Sequence, residues 1–258
     1  MKKICIPLMV YLFAVATVQA HDFWLEPEAY TSTPGEEIAI EWRIGQGFLG
    51  ESLVFLPFNA DQVAIWLGGE PTALSPRFAA RPALSVALPD DGSAIVSTVT
   101  PKFDLQYDAW SEFQDFVEHE AIGVTLPAPA AGPVKEQYQR FAKTLLSSGN
   151  HRWQDERLGL RYEWVVQPES EHSLMATLYF DSEPASDHSV KVYVKQPAQP
   201  AKTIEPTFYR TNAQGQLLIR ALRPGDQVLL NALHLVHEPD NEWSWQSYWA
   251  STTLQMPE

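Results

Sequence analysis

Residues 36–45 read EEIAIEWRIG, and in this stretch apolar and polar side chains alternate: Ile38, Ile40, Trp42 and Ile44 fall on one side, Glu37, Ala39, Glu41 and Arg43 on the other. A period of two with β-branched enrichment is the mark of a strand with one covered face. The same signature returns in DQVAIWLG (61–68), ALSVALP (83–89) and SAIVSTVTP (93–101). Among the chain's 20 prolines, many stand in turn-like clusters such as LPDDGS, PAPAAGP and QPAQPA, which break these runs into short strands. The first half therefore reads as a β-sandwich.

Two stretches change period. AWSEFQDFVEHEAIG (109–123) puts Trp110, Phe113, Phe116 and Val117 at helical spacing. PVKEQYQRFAKTLLSSG (133–149) does the same with Val134, Tyr138, Phe141, Ala142 and Leu145, opened by Pro133 and closed by Gly149, with Glu136 and Arg140 four apart on the outer face. Two short helices are expected here. After the polar VVQPESEHS, strand-like runs resume in SLMATLYF, SVKVYVK, PTFYRT, QLLIRAL, DQVLLNALHLV and SYWASTTLQM, with TNAQGQ and RPGDQ as turns. The expectation is a mainly β chain of two Ig-like or prealbumin-like sandwiches, at residues 21–167 and 168–258, the first carrying both helices.

Residues 1–20 read as an export signal. Lys2 and Lys3 precede the apolar ICIPLMVYLFAVATV, and Val18-Gln19-Ala20 supplies a small-residue cut site. Location in the periplasm is expected, with no membrane span once the signal is removed. The single cysteine, Cys5, lies inside that signal, so thiolate metal sites and disulfides are excluded from the rest. Lys2 and Lys3 are two of 18 basic side chains, which leaves 16 against 32 acidic ones. Such a balance repels phosphate backbones and anionic lipids, and nucleic acid is not an expected partner.

Cutting after Ala20 would leave His21 with a free α-amine beside its imidazole. Amine and ring Nδ1 can close a chelate on one ion, and an amine with a pKa near 8 gives up its proton readily at neutral pH. A second imidazole from NALHLVHEPD, His234 or His237, would add a third nitrogen. In a regular strand these two point to opposite faces, so both cannot reach one ion without a bulge. Asp22 and Glu26 are possible oxygen ligands or acceptors for the imidazole. Affinity order puts copper(II) first and nickel next. His119, His151, His172 and His188 lie in polar or helical surroundings and read as surface residues. Trp243, Trp245 and Trp249 share parity and form either a stacking row or a core seam. There is no Gly-x-Ser-x-Gly elbow, His-Glu-x-x-His helix or Gly-rich phosphate loop, and no catalytic residue is assigned.

The stretches AHDFWLEP, EFQDFVEHEAIG, EQYQRFAKTLL, RLGLRYEWVVQP, YRTNAQGQLLI, LLNALHLV and EWSWQSYWASTTLQM resemble domain-of-unknown-function family 4198, periplasmic proteins described as components of cobalt or nickel uptake systems. The chain departs from the family pattern where DSEPASDHSV replaces a plain Asp-Gly-x-Pro turn. The resemblance implies a two-part β-rich protein associated with divalent metal handling, and it places a histidine at 234, which favours His234 over His237. A non-enzymatic carrier of nickel, cobalt or copper, or of a chelate, serving a membrane metal-uptake transporter, is the leading expectation. An oxidative copper enzyme using His21 and a ligand- or protein-binding module with structural histidines are the alternatives.

Overall fold

The computed structural model describes residues 21–127, 132–197, 199 and 204–257. The predicted signal, residues 1–20, lies outside them. The first half contributes β1 (Asp22–Pro27), β2 (Thr31–Ser32), β3 (Glu37–Gln46), β4 (Leu49–Leu53), β5 (Gln62–Leu67), β6 (Glu70–Ala73), β7 (Leu84–Ala87), β8 (Gly92–Val99), β9 (Phe103–Tyr107), helix α1 (Trp110–His119) and β10 (Val134–Ser148). The rest contributes β11 (Tyr162–Ser170), β12 (Ser173–Phe180), β13 (Glu183–Pro184), β14 (Ser189–Lys195), β15 (Thr207–Arg210), β16 (Gln216–Arg220), β17 (Gln227–His237) and β18 (Trp245–Gln255). The chain is mainly β, as its alternation predicts.

A ten-stranded sheet forms the middle of the molecule, in the order β15-β14-β17-β18-β10-β8-β5-β6, with β2 and β9 also paired to β10. Strands from both sides of residue 168 join it, and residue 168 itself lies within β11. The seam is the parallel pairing of β10 with β18, from Glu136 opposite Trp245 to Thr144 opposite Thr253. One outer sheet, β1-β3-β4 with β7, and another, β11-β12-β13 with β16, complete the fold.

Side-chain parity shows how the layers stack. On β10, Ala142 and Leu146 pack with Leu25, Ile40 and Trp42, whereas Phe141 and Leu145 pack with Trp164, Leu174 and Leu178. Successive residues of a strand point to opposite faces, so the two outer sheets lie on opposite faces of the central one. Two sandwiches thus stand back to back and share their middle layer.

Only one of the two predicted helices forms. In α1, Phe113, Phe116 and Val117 are buried at the expected spacing. The second expectation is corrected: residues 134–148 are the longest strand, β10. From Phe141 to Ser148 every residue is buried, because this strand is covered on both faces and no alternation remains to read. Its apolar positions mimic a helical stripe by coincidence. Gly149 ends the strand at φ +66°, where an added Cβ would collide with the Asp91 carboxylate.

Candidate functional site

Strand β1 begins directly after His21 and pairs antiparallel with β3, Asp22 opposite Gly45. It also lies across β10 and β18, fastened by Thr253 Oγ1, which donates to the Leu25 carbonyl at 2.6 Å. This crossing seals a polar floor that strand alternation alone would leave in water. Lys191 and Tyr193 on β14, Asn231 on β17 and Glu136 and Arg140 on β10 all point up at it. Asp22 is fully buried. Its Oδ1 accepts from Lys191 Nζ at 2.5 Å and from Asn231 Nδ2, and its Oδ2 from the Tyr193 hydroxyl at 2.7 Å.

Lys191 is shared. Its ammonium also stands 2.7 Å from Glu120 Oε2, yet among the described residues neither Glu120 oxygen has a partner in hydrogen-bond geometry. Glu120 caps the C-terminal end of α1, where the helix presents carbonyls rather than N–H groups. Two carboxylates competing for one ammonium cannot both be well stabilised. Asp22 holds three donors and Glu120 the ammonium alone. Burial accordingly pushes the Glu120 carboxyl up to about 7, against the pull of Lys191. Burial works to lower the Lys191 ammonium, but Asp22 and Glu120 outweigh it and hold it above its usual range. Further along, Glu136 accepts from Tyr107 at 2.6 Å and from Ser247. Burial raises its pKa, opposed by those bonds and by Arg140.

His21 sits at the margin of this cluster, half-buried, its carbonyl accepting from Arg140 Nη2 at 3.3 Å. The ring Nδ1 is buried and has no hydrogen-bond partner among the described residues.

The structure separates His21 from His234, which corrects the pairing expected between them. On β17 the odd-numbered Asn231 reaches Asp22, so the even-numbered His234 points through the opposite face, toward β11 and β12. There its ring stacks on His188, centroids 4.4 Å apart and 15° from parallel, and meets Phe180 edge-on at 4.5 Å. His188, expected at the surface, is half-buried, and its Nδ1 lies 2.9 Å from the hydroxyl of fully buried Tyr162. Burial, then His234 and Arg210, pulls the His188 pKa down to about 4. Burial and Arg161 also lower that of His234. Arg161 caps the group, stacked 4.4 Å over Tyr248, donating to its hydroxyl and paired with Asp181.

The remaining candidates are engaged elsewhere. His237 is exposed and stacks on Trp245 at 4.4 Å. Glu26 is ion-paired with Arg43 at 2.9 Å. Trp245 and Trp249 are core residues packed on Phe113 and Phe116, and only Trp243 is partly open, under Lys135. Among the described residues no three His, Cys, Asp or Glu side chains converge as a metal cluster.

Fold and site together define a class: a mainly β protein of two sandwiches sharing one sheet, with a charged cluster sealed beneath its first strand. The chain belongs to the family described as Domain of unknown function (DUF4198), whose model matches residues 18–235. No curated protein sequence matches it. Among solved structures it is similar to the D0-D1 domain of intimin, at 10% identity and TM-score 0.23, covering 92% of this chain and 98% of that one. A two-domain fibronectin type III segment of chicken tenascin is similar at 9% identity and TM-score 0.24, covering 90% and 97%.

Proposed function

We propose that the protein is an exported metal-handling protein of the periplasm, which holds one divalent transition ion, nickel, cobalt or copper, at the amino terminus created by cutting before His21. It serves a membrane uptake system. The observation that carries this reading is the buried Nδ1 of His21, which has no hydrogen-bond partner among the described residues. A buried ring nitrogen without a hydrogen bond is unfavourable unless another partner exists. Nδ1 is also the nitrogen that can close a chelate with the α-amine of the same residue.

The donors suit the ion class. Imidazole and amine nitrogen favour nickel and copper over calcium or magnesium. The chain's own work is to fix β1 and thereby the position of His21, through Thr253 and Arg140. His234 has no part in this ligand set.

Intact-mass measurement of exported protein establishes the cut, and equilibrium dialysis with copper, nickel and cobalt then measures binding. One ion per chain is expected. His21→Ala, and a form with one extra residue ahead of His21, should each bind more than about 100-fold more weakly, since a direct ligand matters more than the 10–100-fold typical of an outer partner. Equal affinity in the extended form removes the amine from the site and overturns the reading.

A further inference from the structure

Phe58 and Phe78 are the most exposed large apolar side chains among the described residues, at 69% and 70%. They ride on neighbouring loops. Backbone hydrogen bonds tie the loops together, Phe55 N to Ala80 O at 3.0 Å and Ala79 N to Phe55 O at 2.8 Å. Each loop closes its own turn, through Asn59 N to Leu56 O and Ala80 N to Arg77 O. Both rings are therefore held out from a fixed base.

Together the two loops are also basic. Residues 54–60 and 71–83 contain two charged side chains, Arg77 and Arg81, and no acid, in a chain with 32 acidic residues against 18 basic. Both arginines line a cavity of about 750 Å³ beside Phe78, which Glu28 and Glu37 also line. Arg81 is braced there by Ser52, and Glu37 accepts from Ser85.

We infer that this tip is a peripheral docking site for an anionic phospholipid surface, Phe58 and Phe78 entering the boundary between headgroups and acyl chains while Arg77 and Arg81 face the lipid phosphates. Aromatic side chains next to basic ones are the combination that such a boundary takes up. The size of the patch decides against a protein partner. Two rings of this exposure offer roughly 300 Å², well short of the ~800 Å² per partner of a stable protein interface. The acidic majority of the chain is repelled by an anionic leaflet, so these two loops, with arginines beside exposed rings, also set the orientation.

Co-sedimentation of the exported protein with vesicles tests this, using phosphatidylglycerol mixed with phosphatidylcholine against phosphatidylcholine alone. Binding to the anionic vesicles is expected, released by high salt. Arg77→Ser should weaken it about fivefold, the equivalent of ~1 kcal/mol for one basic residue near the surface. The Phe58→Ser/Phe78→Ser double variant should abolish it with little change in Tm, because both rings are largely exposed. Equal sedimentation of the double variant, or no preference for the anionic vesicles, overturns the inference. A wild-type dimer that the double variant turns into a monomer, without vesicle binding by either, overturns it too and assigns the tip to a second copy.

Discussion

The two faces of the central sheet at β14 and β17 hold opposite kinds of polar group. Beneath β1, Asp22, Lys191 and Glu120 are charged groups sealed from water, along with their neighbours Tyr193 and Asn231. Beneath β11 and β12, the half-buried rings of His188 and His234 stack among Tyr162, Phe180 and Tyr248. The difference teaches that what covers a strand face, rather than what the strand is made of, decides whether its polar side chains stay charged. The sealed face must pair its charges, while the aromatic face keeps its histidines neutral.

Removing the pairing should have the largest effect. Lys191→Met leaves Asp22 and Glu120 without their shared cation, and breaking a buried pair in this way costs about 3–5 kcal/mol. The midpoint of urea unfolding at pH 7 should fall accordingly. A loss below ~1 kcal/mol would mean that water reaches this face, and the contrast would collapse.

Acidity should act on the two faces with opposite sign. Because the folded Glu120 pKa is raised to about 7, the folded state binds more protons than the unfolded one between about 4.5 and 7. Its contribution to stability is therefore full below that window and disappears as pH rises through it, by an amount on the order of 3 kcal/mol. Glu120→Gln should remove this slope and melt above wild type at pH 8, with little difference at pH 5. Thermal melts of both proteins across that range measure it.

The His188 effect is smaller and runs the other way. With a folded pKa of about 4 against 6.5 unfolded, the unfolded state binds more protons within that interval. Stability is complete above 6.5 and lost as pH falls toward 4, by about 1–2 kcal/mol once partial exposure is allowed for. His188→Asn should flatten the acid limb while leaving the Glu120 limb intact. If one substitution altered both limbs, the faces would not be independent.

Much of the fold was legible because most strands have one face more deeply buried than the other. EIAIEWRIGQ alternates in burial as it alternates in sequence. Strand β10 was not legible, since both its faces are covered and a continuous buried run carries no period. The same blindness hid most of the site. In SVKVYVK the valines mark one inner face and Lys191 and Tyr193 read as solvent-facing, until a strand far away in sequence closes over them. His21 stood out by its place after the cut motif. His188 did not, because its partner His234 comes from a distant strand and its own segment, DSEPASDHSV, reads as a polar turn.

The parallel contact between β10 and β18 also bears on the order in which the middle layer can close. Strand β18 inserts between β10 and β17, so the middle layer keeps an open gap until residues 245–255 have been delivered. A chain cut before residue 245 should therefore leave the facing edges of β10 and β17 unpaired, two open strand edges of the kind that invite pairing with other chains.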